Sequence, residues 1–389
     1  MTTQGPLPLP TEILLLSPRP GTDAAFHDLA ARLEGPLAPV PVRVIHGRVI
    51  HGGDRPEAPL PSPPRPGAAL VTGGQPVALE VLASCPAWRW VHLTASGPDH
   101  LHGWPPLPGS PLVTYSRGVN ARSIAEWALA AILHFYRDLD HYLERARDRA
   151  RDQDPGRAQE AAPGRDTPPP SRWDRRWARE LSGARLLVVG AGAAGTEVAR
   201  LAEALGLTTV GVSRTGAPRA GFHRMVSMAE LDAELAQADV TLVLLPLSDL
   251  TRGTFKAERL GRLKEGSLLL VASRGGIVDE DATLAAVRAG RLRGAAFDVF
   301  AREPLPDTSP LWEEPRILVT PHVAGTTDRF MEHTARILIG IWGAAFTRPT
   351  PARLAPYVYA MPGGMTDRPG GSGGPGAPGA SGPPHPPGA

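Results

Sequence analysis

The stretch that most constrains this chain is residues 186–204, LLVVGAGAAGTEVARLAEA. Four apolar residues, Leu186, Leu187, Val188 and Val189, read as a fully buried strand. Gly190, Gly192 and Gly195 follow in the order G-x-G-x-x-G. Val198, Leu201 and Leu205 then recur on one helix face. Glycine is common in this chain, 43 of 389 residues, so three glycines alone would say little. Strand before and helix after supply the context of a dinucleotide-binding βαβ unit. The first glycine makes the tight turn, the second lets backbone approach a pyrophosphate, and the third lets helix pack on strand. The helix start then offers free N–H groups and a positive dipole end to the phosphates.

A chain of 389 residues has room for two or three domains, and 42% hydrophobic content supports real cores. No apolar run is long enough to span a bilayer, so no membrane partner is expected. The N-terminus, MTTQGPLPLPTEILLLSP, lacks a basic n-region, and its short apolar run suits a first strand better than a signal peptide. The single cysteine, Cys85, excludes an internal disulfide framework and fits a reducing cytoplasm. Net charge is only +2, and almost all positive charge is arginine, with lysine at Lys256 and Lys264. Arginine usage on this scale, beside heavy Ala, Gly and Pro, is a general bias, so no nucleic-acid partner is read from it. No zinc-ligand spacing occurs; His46, His51, His100 and His102 read as loop and strand residues, and no metal is expected.

Taken in order, residues 1 to about 115 alternate strand and helix. EILLL, PVRVI, AALVTG and WRWVHLT read as strands, with FHDLAARLEG and PVALEVLAS as helices. This alternation predicts a parallel sheet. WRWVHLT runs into Ala95, Ser96 and Gly97, either a plain turn or backbone N–H groups offered to a ligand at a strand end. A long helix is expected from Ser123, with Ser123 as N-cap and Glu126 completing a capping box. Its apolar face holds Ile124, Trp127, Ala128, Ala131 and Phe135, and a charged, solvated end follows from Arg137. Residues 152–172 read as an exposed insertion and 362–389 as a disordered Gly/Pro-rich tail. Trp173 and Trp177 are expected to pack against a neighbouring domain.

About 20 residues past the glycines a dinucleotide fold carries the group that meets the ribose 2′ position. Here the strand TTVGV ends at Ser213 and Arg214, with no carboxylate to hold a 2′-OH or repel a 2′-phosphate. A hydroxyl beside a guanidinium fork suits a phosphate, which predicts NADP(H) over NAD(H). Arg219 is a second candidate clamp. Three more strand-like runs end in polar residues: LLLVASRGG at Arg274, GAAFDVFARE at Asp298 and Glu303, and ILVTPHVAG at His322. In a doubly wound sheet such strand ends face the ligand crevice.

VGAGAAG, LPLSDLTRGTF, SRGGIVDE, DVFAREPLP and TPHVAGTT occur in that order, and through them the chain resembles the D-isomer-specific 2-hydroxyacid dehydrogenases. The resemblance covers most of residues 85–330 and includes the spacing of Arg274, Glu303 and His322. It implies an α/β protein of two Rossmann-like, doubly wound domains with a cleft between them. The substrate-binding domain would be 1–122, completed by 327–361, and the dinucleotide-binding domain 123–326. It implies a reductase of small 2-keto acids such as glyoxylate or hydroxypyruvate, with His322 as general acid, Glu303 its orienting partner and Arg274 the carboxylate fork. It implies substrate N–H groups at Ser96 and Gly97, and cofactor contacts at Ala193, Ala194, Leu245, Pro246, Ala272 and Gly325. Asp298 would hold the nicotinamide carboxamide. The helix after SRGVNARSIAEW would build a homodimer, and a last helix over about 327–346 would return to the first domain. Val271 departs from the family, which often has asparagine there, and the first 80 residues match in pattern only. A rival reading is a cofactor-sensing interaction protein, resembling the corepressors that share this fold and keep the same three residues.

Overall fold

The computed structural model describes residues 6–17, 23–46, 64–73, 81–97, 107, 109–152 and 177–360. The tail read at 362–389 and the insertion read at 152–172, apart from Asp152, lie outside these residues, as do His51, His100, His102 and Trp173. The chain divides into two compact units. One is Met1–Ser116 with Ala335–Ala389, and the other is Arg117–Thr334.

The first unit runs β1 (Ile13–Ser17), α1 (Asp23–Glu34), β2 (Val42–His46), β3 (Ala69–Thr72), β4 (Trp90–Leu93) and β5 (Leu112–Tyr115). The second runs α2 (Ala121–Tyr136), α3 (Leu139–Asp152), β6 (Arg185–Val189), α4 (Ala193–Ala204), β7 (Thr208–Ser213), β8 (Arg224–Ser227), α5 (Leu231–Leu235) and β9 (Val240–Val243). It continues through α6 (Ala257–Leu260), β10 (Ser267–Val271), α7 (Glu280–Arg288), β11 (Leu292–Phe297), β12 (Ile317–Val319) and the start of α8 (Phe330–Trp342). The chain ends its described part in the first unit with β13 (Val358–Ala360).

The first sheet has the order β13-β5-β4-β3-β1-β2 and is parallel except for β13, which pairs antiparallel with β5. Neither β5 nor β13 was assigned from sequence. Both are short, and β13 follows a proline-rich stretch with no alternation to mark it. Leu14, Leu16, Leu70, Val91 and Leu93 pack on one face. Leu29 and Leu33 of α1 are fully buried. Trp90 meets Trp342 and Phe346 at ring separations of 6.4 and 5.6 Å, which seats α8 and the turn after it.

A polar network runs through this core. His92 is fully buried, with Nδ1 2.8 Å from Thr114 Oγ1 and Nε2 2.8 Å from Ser116 Oγ. Trp90 Nε1 donates to the same Thr114 hydroxyl. Ser116 N–H in turn donates to Leu93 O and Ala95 O, tying down the turn that contains Ser96 and Gly97.

The second sheet has the order β12-β11-β10-β9-β6-β7-β8, parallel throughout. Read from β8, this is the dinucleotide-fold order 3-2-1-4-5-6 with one added strand, and its switch point lies between β6 and β9. Both faces are covered, which is why 186–189 is an unbroken apolar run rather than an alternating one. Leu187 and Val189 face a core with Leu231, Leu260, Leu284 and Val287. Leu186 and Val188 face another with Ile132, Phe135, Val198 and Ala202.

Three local expectations are corrected. Helix α2 starts at Ala121 with Asn120 as its N-cap and no side-chain cap bond, so Ser123 sits within the first turn. The charged end does not continue the helix. Asp138 adopts φ +52, which breaks the helix before α3, and its carboxylate pairs with Arg293 at 2.6 Å. Trp177 is fully exposed rather than packed.

Burial lowers the His92 imidazole from 6.5 to about 3. The unfolded chain therefore binds a proton that the folded chain refuses between about pH 6.5 and 3. The stability this ring contributes is complete above pH 6.5 and is lost as pH falls through that window. Thermal denaturation measured from pH 7.5 to 4.5 should show the midpoint of the natural protein falling more steeply than that of His92→Gln. Parallel curves would remove His92 as the source.

Candidate active site

The glycine loop leaves the C-terminal end of β6 and enters α4. Gly190 has φ +112, and a Cβ there would lie 2.6 Å from the Leu244 carbonyl. A Cβ on Gly195 would lie 2.6 Å from Gly190 O, so helix and strand are in backbone contact. Gly192 is different. It is the N-cap of α4, and a Cβ there would meet nothing within 4 Å among the described residues. The N–H groups of Ala193, Ala194 and Gly195 have no carbonyl one turn back to bond. An open cradle at Gly192 beneath a row of helix-start N–H groups fits a dinucleotide diphosphate.

At the end of the neighbouring β7, Ser213 Oγ accepts from Gly216 N–H at 3.1 Å, which leaves its own hydroxyl hydrogen to donate. Arg214, the next residue, and Arg219 are both exposed. Beyond β9, Leu245 is buried in the core, so it can offer only backbone, while Pro246 is exposed. Thr251 closes that loop by donating to Pro246 O at 2.6 Å and accepting from Ser248 N–H.

Strands β10, β11 and β12 are neighbours and parallel, so their C-terminal ends lie side by side. Beyond β10 come Ala272, buried, and Arg274, half-buried, whose Nη1 donates to Ser273 O. Ser273 is 7% exposed and its Oγ has no hydrogen-bond partner among the described residues, a hydroxyl at the edge of the site. Directly after β11 stands Asp298, 2% exposed. One carboxylate oxygen accepts from Thr320 Oγ1 at 2.6 Å and Val323 N–H at 2.8 Å, the other from Ala324 N–H at 2.9 Å. Asp298 O also accepts from His322 N–H. Asp298 thus organises the loop beyond β12, and Oδ2, with one bond among the described residues, can still accept another.

Within that loop His322 adopts φ +55, a conformation uncommon for a residue with a Cβ. Its Nδ1 lies 2.7 Å from Glu303 Oε2, and Glu303 Oε1 accepts from Phe300 N–H at 3.0 Å. A carboxylate only accepts, so Nδ1 carries the proton and Nε2 is left to face a reactant. The pair is open to solvent, with side chains 47% and 36% exposed. Gly325, half-buried, packs against Asn120, whose Nδ2 would lie 2.5 Å from an added Cβ.

The second unit therefore brings Arg274, Glu303, His322, Asp298, Ala272, Gly325, the glycine loop, Ser213, Arg214, Leu245 and Pro246 to the C-terminal edge of one sheet. Ser96 and Gly97 belong to the first unit, half-buried in the turn after β4. Sequence reasoning missed Thr320, which bridges Trp127 Nε1 at 3.0 Å to Asp298. Its position two before His322 was the available signal. Among the described residues no group of histidine, cysteine or carboxylate side chains could hold a metal, and no helix is long and apolar enough to cross a membrane.

Residues 130–324 match the family described as D-isomer specific 2-hydroxyacid dehydrogenase, NAD binding domain. An uncharacterised Streptomyces coelicolor protein is 34% identical over 278 residues, covering 71% of this chain and 87% of that one. Glyoxylate/hydroxypyruvate reductase A of Citrobacter koseri is 41% identical over 140 residues, 36% of this chain and 45% of its own. The chain spans about half the length of two of the curated relatives it matches. Among solved structures, a D-isomer specific 2-hydroxyacid dehydrogenase from Xanthobacter autotrophicus Py2, in complex with NADPH and MES, is similar with a TM-score of 0.66 at 27% identity. That match covers 85% of this chain and 93% of the other.

The three glycines should separate by substitution. Gly195→Ala drives a Cβ into Gly190 O and should cost about 1–3 kcal/mol of stability by chemical denaturation. Gly192→Ala has room in the fold, so it should leave the denaturation midpoint unchanged and weaken dinucleotide binding measured by calorimetry.

Proposed function

Because the chain belongs to the D-isomer specific 2-hydroxyacid dehydrogenase family, we propose that it transfers a hydride between NADP(H) and a small 2-keto or D-2-hydroxy acid. Glyoxylate and hydroxypyruvate are the first candidates. The observation that carries this reading is the order β12-β11-β10, which aligns the strand ends bearing His322, Asp298 and Arg274, with Glu303 at 2.7 Å from the imidazole. Both the Citrobacter reductase and the NADPH complex of the Xanthobacter dehydrogenase support the substrate class and cofactor.

Bound NADP(H) would supply the hydride. In reduction, His322 Nε2–H donates a proton to the carbonyl oxygen, and in oxidation the same nitrogen takes it back. Glu303 accepts from Nδ1–H, fixes the tautomer and stabilises the imidazolium form. Arg274 forks onto the carboxylate and carbonyl oxygen, orienting the acid and drawing charge toward that oxygen. Ser213 and Arg214 hold the 2′-phosphate, with Arg219 as a second clamp. No carboxylate stands at the end of β7 to oppose that charge.

A homodimer in the cytoplasm belongs to the same reading. Leu133, Leu139, Tyr142 and Leu143 of α2 and α3 are exposed, and Leu143 lines a cavity of about 250 Å³ with Trp312. Light scattering should report a dimer, and Leu143→Glu should shift it toward monomer.

Purified protein with NADPH and a panel of 2-keto acids should consume NADPH. Tight NADPH binding without turnover on any acid would favour a sensor instead. His322→Ala should lower kcat by about 100-fold or more while leaving NADPH affinity in place. Arg214→Asp should move preference toward NADH by roughly 10–100-fold, the worth of a charge-assisted bond. Unchanged preference would remove Arg214 from the phosphate site.

A further inference from the structure

Two segments that carry reactive groups, 272–280 with Arg274 and 298–303 with Glu303, are stitched together at two points. The first is backbone on backbone: a Cβ on Gly275 would fall 1.8 Å from Phe300 O, so nothing larger than glycine passes there. The second is a side chain. Glu280, first residue of α7, accepts from Ala301 N–H through Oε1 at 2.6 Å. The preceding N–H, that of Phe300, donates to Glu303. Consecutive backbone N–H groups therefore hold two carboxylates, one fixed to α7 and one aimed at His322.

The base on which Glu280 stands is itself fixed. Phe255 N–H donates to Ile277 O, Asp279 N–H donates to Phe255 O, and Gly253 N–H donates to Gly276 O. Asp279 caps α7 by accepting from Ala282 N–H. By contrast, the turn 301–304 is exposed, and Ala301 N–H bonds to Glu280 where the chain crosses Gly275. Glu280 is half-buried, and that burial, with the charges of Asp281, Asp279 and Glu303 nearby, raises its carboxyl above the usual range, opposed by the Ala301 N–H. Helix α7 already has Asp279 as its cap, and Glu280 adds the bond to Ala301 N–H.

We propose that Glu280 is a positioning residue that locks the turn carrying Glu303 to the segment carrying Arg274. Through Glu303 it holds the His322 imidazole in its reactive orientation. The inference rests on the dehydrogenase reading for its kinetic consequence and on geometry alone for its structural one.

The test compares Glu280→Ala with Glu280→Gln, whose amide oxygen still reaches Ala301 N–H. Glu280→Ala should lower kcat by about 10–100-fold, the scale of an ångström-size misplacement. KM for the keto acid and affinity for NADPH should hardly change. Glu280→Gln should restore most of kcat. Glu280→Asp, one methylene short, is the milder probe if the alanine variant does not fold. A second readout needs no turnover: in nitrogen-15 spectra of the histidine rings, His322 should be the Nδ1–H tautomer in the natural protein and in Glu280→Gln. It should become a tautomer mixture in Glu280→Ala. Natural kcat and tautomer in folded Glu280→Ala would overturn the proposal, as would a glutamine variant as impaired as the alanine one. If the natural protein turns over no keto acid, the dehydrogenase reading fails, and the tautomer readout still decides the role of Glu280.

Discussion

The buried carboxylate of Asp298 is the interaction on which the site depends. It lies at the end of β11 and gathers Thr320, Val323 and Ala324 from the loop after β12, while its own carbonyl takes His322 N–H. Each unpaired buried donor would cost about 1–3 kcal/mol, so these bonds together outweigh the strain of a left-handed histidine. Removing this carboxylate would leave several donors without acceptors at once. His322 therefore faces Glu303 because the backbone on both sides of it is held. The imidazole needs no burial to be oriented, which is why the pair can remain open to reactant.

Sheet order supplies the second constraint. A parallel sheet with order β12-β11-β10-β9-β6-β7-β8 sends every C-terminal strand end to one edge. Residues as distant in sequence as Gly190 and His322 then share that edge without any long loop reaching for the other. Helices on both faces keep the strands dry, and the polar residues collect where the strands stop. The Ser273 hydroxyl lies at this edge too, beside Arg274.

In the first unit the comparable device is neutral rather than charged. Trp90, Thr114, His92 and Ser116 satisfy one another inside the core, and Ser116 passes the constraint on to Ala95. A buried network with all its members paired rigidifies its surroundings, and here it fixes the turn that presents Ser96 and Gly97.

By itself the sequence determined the βαβ unit and the apolar strands, and it put Arg274, Asp298, Glu303 and His322 beyond the ends of strands, because each of these rests on local pattern. An unbroken apolar run, a glycine triplet and a polar residue at a strand end are legible wherever they occur. The same local reasoning misplaced the start of α2 and ran past its break at Asp138, since Asn120 caps by backbone geometry and Asp138 turns to meet Arg293, 155 residues away. It gave no sign that the Asp298 carboxylate also gathers the loop around His322. Strands β5 and β13 and the bridges through Thr320 and Glu280 were decided only by tertiary structure. Hydrogen bonds between segments far apart in the chain leave no periodicity behind, and which donor meets which acceptor depends on where the sheet sets them down.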